Sequence, residues 1–244
     1  MKVKFLEDIA VIGAGRFGQA VVDQLLKLGK TVTFIDKDEE KIKSYKDDIE
    51  NLIVGDDGID IKLLKANKFE RFGTIVVAIP ENIEIVAALL EIKANNIIAR
   101  ATNLRRARVL RQIGVDTIVS TEYEAGKRTA LIAANSSFVK YSENLQEVGD
   151  DFVIGTTIVK NFSLDNKLVK DIDFNSRGVT LVLIKSKGIS IRPTGMSKIY
   201  YNDILTFIGE ISDVNSTFEW LNKDLHHKVK YRNFLILFCK IITN

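Results

Sequence analysis

The chain has 244 residues, of which 46% are hydrophobic and 27% are charged, as in an ordinary soluble globular protein. Its net charge of +3 gives no reason to expect nucleic acid as a partner, and its single cysteine excludes a disulfide framework. No apolar run approaches the roughly 18 residues of a membrane-spanning helix, and the length allows one large domain or two modest ones.

The first predicted elements form a dinucleotide-binding fingerprint: a strand over 9–12, a G-x-G-x-x-G turn, a helix over 16–28 and a strand over 31–36. Gly13 permits the sharp turn, Gly15 leaves room for a phosphate, and Gly18 lets the helix pack closely on the sheet. Free N–H groups and the positive end of the helix dipole then face the phosphates.

An acid ends the second strand of this unit. Asp36 is placed to accept hydrogen bonds from the 2′- and 3′-hydroxyls of an adenosine ribose, and its charge repels a 2′-phosphate. The sequence therefore favours NAD(H) or ATP/ADP over NADP as the ligand.

Strands and helices continue to alternate along the chain. We predict a helix over 38–47, a short buried strand over 52–54, a strand over 74–79, a helix over 81–95, a strand over 97–100, a helix over 103–113 and a strand over 115–119. This alternation predicts an α/β fold, a Rossmann-like doubly wound parallel sheet that binds its ligand at the carboxyl edge.

Residues at that edge form the predicted binding crevice. Asp56 and Asp57 follow the third strand, where they bond the adenine amino group or merely cap the next helix. The full set of predicted cofactor-binding residues is Gly13, Gly15, Arg16, Phe17, Gly18, Asp36, Lys37, Asp56, Asp57, Ala78, Ile79, Asn82, Arg100 and Asn103.

The pattern changes after residue 120. A helix over 121–141 opens with the spacing of a capping box, Thr121 and Glu124, and carries many small residues. We assign 1–120 to a nucleotide-binding domain, 121–145 to a crossover helix or hinge, 146–222 to a smaller α+β domain and 223–244 to a basic, apolar tail. Elements predicted in the smaller domain are a strand over 152–159, a helical turn over 167–172, a hairpin of 179–184 and 190–192, a strand over 204–209 and a helix over 212–221.

Two interpretations of the tail remain open. It is either a helix docked on the body of the protein or a disordered end, or it makes an amphipathic contact with a membrane surface or a membrane protein.

Several motifs occur together in this chain: the G-x-G-R-F-G loop, Asp36, Gly55 with Asp56, the run Val-Ala-Ile-Pro-Glu-Asn over 77–82, and Arg-Ala-Thr-Asn over 100–103. In this combination, over roughly residues 6–221, the chain resembles the RCK regulatory subunits (TrkA-N and TrkA-C domains) of Trk/Ktr-type potassium transporters.

The resemblance implies a non-catalytic, cytoplasmic protein at the inner face of the cell membrane. Its dimers would assemble into an octameric ring beneath a membrane potassium-translocating subunit. ATP and ADP, or NADH and NAD, would compete for the crevice and change the shape of the ring.

The resemblance also suggests roles for single residues, each with a structural alternative. Arg16 would reach a terminal phosphate, or be a solvated residue of the first helical turn. Arg100, with Asn103, would lie near the phosphates, or pair with Glu81 or Glu122. Glu122 would help to hold a divalent cation, or simply favour a helix start.

A second ligand of the family is cyclic di-AMP, bound between two subunits. The corresponding segments here are 175–177 and 191–193, although the sequence over 173–178 does not clearly reproduce the basic residue that we would expect.

The alternative function is that of an NAD-dependent oxidoreductase. The only histidines, His226 and His227, and the only cysteine, Cys239, fall in the tail rather than in the predicted fold. The second domain is also small for a substrate domain, so we expect no enzyme.

Overall fold

The computed structural model describes residues 8–55 and 61–223. The predictions for Asp56, Asp57 and residues 224–244 lie outside the described residues. The chain divides into two compact units, Met1–Ala125 and Gly126–Asn244. Within the described ranges, no helix is both long enough and apolar enough to span a bilayer.

The first unit is built on a six-stranded parallel sheet with the order β3-β2-β1-β4-β5-β6. Its strands are β1 Ile9–Ile12, β2 Val32–Asp36, β3 Asn51–Val54, β4 Thr74–Val77, β5 Ile97–Arg100 and β6 Thr117–Val119. Ile12 of β1 is in register with Ile35 of β2 on one side and with Val77 of β4 on the other. The strand order reverses between β1 and β4, so ligands are expected at the carboxyl ends of these two strands.

Helices cover both faces of this sheet. They are α1 Arg16–Lys27, α2 Glu39–Lys43, α3 Ile61–Ala66, α4 Ile83–Glu91 and α5 Leu104–Ile113, with a 3₁₀ turn at Phe69–Arg71. Because side chains alternate along a strand, Val11 packs in one apolar cluster with α1, and Ile12 packs in the other with α4. The doubly wound fold predicted from the sequence is confirmed.

Several details of this unit differ from the prediction. The helix predicted over 81–95 is shorter, Ile83–Glu91, and the strand predicted over 74–79 ends at Val77. The helix predicted over 38–47 ends at Lys43, and the strand predicted over 115–119 begins at Thr117. The third strand is not buried: Asn51 and Val54 are exposed because β3 lies at the edge of the sheet.

The helix predicted over 121–141 is two helices, α6 Thr121–Ala134 and α7 Ser136–Tyr141, which Asn135 separates. A strand, β7 Ser142–Gly149, follows at once; it begins in the segment predicted as a hinge and ends in the segment predicted as the smaller domain. No apolar alternation in the sequence predicts this strand, since only Leu145 is buried along it.

The second unit contains a five-stranded antiparallel sheet, β11-β10-β13-β8-β7, and a two-stranded sheet, β12-β9. The remaining elements are β8 Phe152–Ile158, β9 Lys167–Leu168, β10 Val179–Ser186, β11 Ile189–Ile191, β12 Lys198–Ile199, β13 Ile204–Glu210 and α8 Ile211–Leu221, with 3₁₀ turns at Phe162–Leu164, Val169–Asp171 and Asn175–Arg177. Phe218 of α8 is fully buried against this sheet, and a Cβ at Gly155 of β8 would lie 2.8 Å from its ring.

The predicted hairpin is confirmed, since β10 and β11 pair antiparallel around Lys187 and Gly188. Both turn residues have positive φ, 50° and 84°, as a two-residue type I′ turn requires. The helical turn predicted over 167–172 is partly wrong, because its first two residues form β9.

Candidate nucleotide-binding site

The glycine loop, residues 13–18, connects β1 to α1 at the switch point of the sheet. Gly13 has a φ of +104°, and a Cβ there would lie 2.5 Å from the Ile79 side chain. A Cβ at Gly18 would lie only 1.8 Å from the Gly13 carbonyl oxygen, whereas a Cβ at Gly15 would meet no atom within 4 Å. Two glycines are therefore needed for packing, and the third leaves open space beside the loop.

Asp36 is fixed against this loop. Its Oδ2 accepts the Ala14 N–H at 2.5 Å, and its Oδ1 accepts the Asp38 N–H at 2.9 Å. The residue is only 6% exposed, and the Lys41 ammonium lies 4.0 Å from Oδ1. Because a carboxylate has about four acceptor positions, both oxygens keep capacity for the hydroxyls of a ribose.

The first residue of α1, Arg16, carries a positive charge. Arg16 is exposed, and its side chain forms no hydrogen bond or ion pair with the described part of the chain. The first turn of α1 contains no acid, and a positive charge is unfavourable at the positive end of a helix. An anion beside Arg16 would relieve this repulsion.

Arg100, at the end of β5, holds a polar network. Its Nε donates to the Thr121 hydroxyl at 3.2 Å, and Nη2 forms an ion pair with Glu122. Of the two partners left open by the sequence, Glu122 is therefore the one that pairs. The guanidinium also lies 5.7 Å from the ring centroid of Phe17, which is half-buried.

This network also engages both carboxylate oxygens of Glu122. The Thr121 hydroxyl donates to Oε2 at 2.6 Å. This bond is the largest cause, and the bond from Arg100 the second largest, of the lowering of the Glu122 pKa to about 2. Among the described residues, no three His, Cys, Asp or Glu side chains are grouped as metal ligands. The cation predicted at Glu122 stays a prediction.

The capping box predicted between Thr121 and Glu124 is not formed. The Thr121 hydroxyl is used in the Arg100 network, and Glu124 accepts the backbone N–H of Ser120, the residue before Thr121, at 3.3 Å.

The loop after β4 supplies three more of the predicted residues. Ala78 is buried and donates its N–H to the Ile12 carbonyl, and Ile79 lies against Gly13. Asn82 is completely buried and donates its amide to the Arg100 carbonyl at 2.7 Å, while its Oδ1 has no hydrogen-bond partner in the described ranges. This residue ties the end of β4 to the end of β5 and leaves one acceptor unused.

Asn103 and Lys37 are the remaining predicted binding residues within the described ranges. Asn103 caps α5, since its Oδ1 accepts the Arg106 N–H at 2.9 Å. Lys37 is exposed directly after Asp36.

An ion pair that was not predicted from the sequence lies at the same edge of the sheet, between Arg106 of α5 and Glu81. The Arg106 side chain is only 15% exposed, and its Nη1 is buried without a hydrogen-bond partner among the described residues. The signal was present in the sequence: the first turn of α5 carries Arg105 and Arg106 and no acid, against the preference of the helix dipole.

A cavity of about 350 Å³ lies in the second unit. Asn175 and Pro193, from the two segments predicted to bind cyclic di-AMP, both line it, and Lys170 adds a cation. Arg177 is not in the lining; its guanidinium lies 3.7 Å from the ring centroid of Trp220.

Comparisons with known proteins match both units. The family model described as TrkA-N domain matches residues 9–121, and that described as TrkA-C domain matches residues 154–222. Ktr system potassium uptake protein C of Bacillus subtilis is 32% identical over 228 residues, covering 91% of this chain and 99% of that protein. Ktr system potassium uptake protein A of the same organism is 27% identical over 214 residues, covering 85% and 94%.

Solved structures share the fold at low identity. The GsuK channel has a TM-score of 0.61 at 14% identity, and the GsuK channel bound to NAD has a TM-score of 0.58 at 12% identity. Each alignment covers 91% of this chain and 40% of the GsuK chain, so this chain spans less than half of the length of those proteins.

Proposed function

We infer the function of this chain from its family: it belongs to the RCK regulatory subunits of Ktr/Trk-type potassium uptake systems, with TrkA-N and TrkA-C domains. We propose that it is a nucleotide-sensing gating subunit, located in the cytoplasm at the inner face of the cell membrane. The nucleotide-binding domain would be residues 1–120, the hinge 121–145 and the ligand-sensing domain 146–222.

The observation that carries the proposal is the bond between Asp36 and the glycine loop. The carboxylate of Asp36 is buried and bonded to Ala14 of the loop, which supports its proposed role as the acceptor for a ribose whose phosphates would bind the N–H groups of the loop. The open space at Gly15 provides room for the phosphate tail. The proposed ligands are ATP and ADP, or NAD(H), and the GsuK channel bound to NAD has the same fold.

The proposed mechanism is a shift between two arrangements of an oligomer. The terminal phosphate of ATP would contact Arg16, the exposed cation at the start of α1, and ADP would lack that contact. The two nucleotides must differ in their affinity for the two arrangements, because a ligand that binds both equally shifts nothing. A coupling of about 1–3 kcal/mol is ordinary for such devices.

The proposed mechanism requires more than one subunit. We propose a homodimer that forms an octameric ring and docks on a membrane potassium-translocating subunit. None of the 14 residues of α6 is buried in the single chain, and small residues such as Gly126, Ala130 and Ala133 allow another backbone to approach closely. A second subunit is the natural cover for such a helix.

Two further ligands belong to the proposal. A divalent cation would bind at Glu122 once a partner subunit adds acceptors to those of this chain. Cyclic di-AMP would occupy the cavity in the second unit, where Asn175 and Pro193 lie together and Lys170 offers positive charge to a phosphate.

We propose regulation rather than oxidoreductase chemistry, as the names of the Bacillus subtilis relatives support. The test is potassium flux into liposomes that hold the potassium-translocating subunit of the same organism, with and without this chain. Flux should require the chain and differ between ATP and ADP. Flux that is independent of the chain, or identical with both nucleotides, would refute the proposal.

A further inference from the structure

The antiparallel sheet of the second unit is apolar on both of its faces. Leu205 and Phe207 of β13 are buried on one face, in the same apolar cluster as the side chains of α8. Ile204, Thr206 and Ile208 alternate with them and therefore lie on the opposite face, which we call the outer face. The described part of the chain leaves these three side chains partly exposed.

Three cross-strand pairs between β8 and β13 form the centre of the outer face: Ile154 with Ile208, Thr156 with Thr206, and Ile158 with Ile204. The two threonine hydroxyls bond each other at 3.1 Å, so neither depends on water for a partner. On β10, Leu183 is in register with Thr206 and is 37% exposed. A sheet face in contact with water is usually polar, so an outer face of this composition favours an apolar cover.

The last described helix ends beside one end of the outer face. The Leu221 carbonyl, at the end of α8, accepts the backbone N–H groups of Lys160 and Asn161 at 2.8 and 2.7 Å. These two residues directly follow β8, which ends at Ile158. The segment 224–244 therefore continues from the end of the sheet at which Ile158 pairs with β13.

The sequence of this segment suits the outer face in composition and in length. Residues 234–242 read Phe-Leu-Ile-Leu-Phe-Cys-Lys-Ile-Ile, an apolar run that only Lys240 interrupts. Even at the rise of an α-helix, about 1.5 Å per residue, the segment spans roughly 30 Å. The seven residues of β8 extend over roughly 23 Å, so the segment is long enough to cross the sheet.

The end of the outer face that lies away from α8's last residue is acidic. Glu210 ends β13, and Asp150 and Asp151 form the turn before β8; all three are exposed. The N–H of Ile211 donates to the Asp151 carbonyl at 3.0 Å, which holds this turn beside the end of β13. The single charge in the apolar run, Lys240, is complementary to these acids.

We propose that residues 234–242 of the same chain cover the outer face, with Lys240 directed toward the acidic end. Burial of the apolar run against the isoleucines provides the free energy, whereas exposed ion pairs contribute little and set the direction. The basic residues of the segment, Lys228, Lys230 and Arg232, precede the run and remain in water. The match to the TrkA-C domain ends at residue 222, so the proposed cover lies outside the residues that the family model matches.

The only cysteine of the chain, Cys239, lies within the run, so its reaction with dithiobis(nitrobenzoate) reports on the cover in the full chain. For Ile208→Gln, which makes the outer face polar, we expect Cys239 to react about tenfold faster than in the unaltered chain, because the run is released. The matched control is Ile189→Gln, at a 67% exposed isoleucine of β11, which should leave the rate unchanged.

A second cysteine identifies what covers the face. Under mild oxidation, Ile208→Cys should form a disulfide with Cys239 within one chain, about tenfold faster than Ser216→Cys does. Ser216 is exposed on α8, which packs on the other face of the sheet, so a segment without a fixed position would reach both introduced thiols at similar rates.

Equal labelling of Cys239 in the unaltered chain and in Ile208→Gln would overturn the proposal, as would equal cross-linking of Ile208→Cys and Ser216→Cys. A disulfide between two chains would assign the outer face to a second copy. Labelling that slows only when phosphatidylglycerol vesicles are added would assign the run to a membrane, and each of these two results also overturns the proposal. If circular dichroism shows that Ile208→Gln does not fold, the cross-linking of Ile208→Cys decides.

Discussion

The carboxylate of Asp36 accepts the backbone N–H of Ala14 at 2.5 Å, and both residues are buried. This contact joins the end of β2 to the glycine loop after β1. The acid is thus held at the loop by the protein itself before any ligand arrives, and little ordering of the side chain remains to be done on binding.

Removal of this acid should weaken nucleotide binding. A hydrogen bond to a charged group contributes about 1.5–3 kcal/mol, so Asp36→Ala should lower ATP and NADH affinity roughly tenfold to a hundredfold. Isothermal titration calorimetry measures both. The unaltered chain should also prefer NAD to NADP, and Asp36→Ala should lose that preference; equal binding of NAD and NADP by the unaltered chain would contradict the assigned role.

Two glycines of the loop should respond differently to alanine. Gly18→Ala places a Cβ 1.8 Å from the Gly13 carbonyl, so the variant should lose about 3 kcal/mol or more of stability in chemical denaturation. Gly15→Ala meets no atom and keeps an allowed backbone, with φ of −70°, so its stability should be unchanged.

The Gly15→Ala and Gly18→Ala variants also distinguish an effect on packing from an effect on nucleotide binding. Gly15→Ala puts a methyl group in the space that we assign to phosphate, so ATP affinity should fall although the fold is intact. Undiminished ATP binding by Gly15→Ala would show that the phosphate tail lies elsewhere.

Arg16 should discriminate between nucleotides at a small cost in stability. Arg16→Ala should retain ADP binding and lose the preference for ATP, which competition binding measures. Without nucleotide, the variant should be more stable by about 0.3–1 kcal/mol, because it removes a cation from the positive end of α1. Lys27→Ala, at the other end of that helix, is the control and should lower stability instead. Equal loss of ATP and ADP affinity would contradict the role of Arg16.

The Glu122 network should give a defined dependence on pH. The pKa of Glu122 is lowered from 4.5 to about 2 by Thr121 and then Arg100, so the folded state holds the carboxylate charged at a pH where the unfolded chain protonates it. Its contribution to stability is complete above about pH 4.5 and is lost as the pH falls toward 2.

Thermal melts of the unaltered chain and Glu122→Gln should therefore differ above pH 4.5 and converge near pH 2. Glu143→Gln, at an exposed acid of the strand β7, should melt like the unaltered chain throughout. An NMR titration that places the pKa of Glu122 near 4.5 would show that the network does not form in solution.

Local patterns were sufficient to predict the alternation of strands and helices in the first unit. The glycines from Gly13 onward and the acid Asp36 are spaced as in a strand–turn–helix–strand unit that binds a dinucleotide, and few other structures explain that spacing. The apolar run at 74–77 is typical of a strand that is covered on both faces. Burial at the sheet edge was not predictable in the same way, because whether β3 has one neighbour or two depends on the strand order, which no local pattern contains.

Long-range polar pairs were the least predictable part of the site. Arg100 could reach either Glu81 or Glu122 on sequence grounds, and only the three-dimensional arrangement selects Glu122 and leaves Glu81 to Arg106. The strand β7 was missed for a related reason: with one buried residue, Leu145, it lacks an apolar period, and its pairing with β8 defines it.

Native mass spectrometry of the purified chain, with ATP, ADP and NADH added in turn, tests directly whether an oligomer of this chain binds a nucleotide without converting it. We expect an assembly of eight subunits that retains adenine nucleotide at unchanged mass, and Asp36→Ala should assemble without retaining it. An assembly that retains no adenine nucleotide, or one that converts the nucleotide into a product of different mass, would refute nucleotide sensing by this chain.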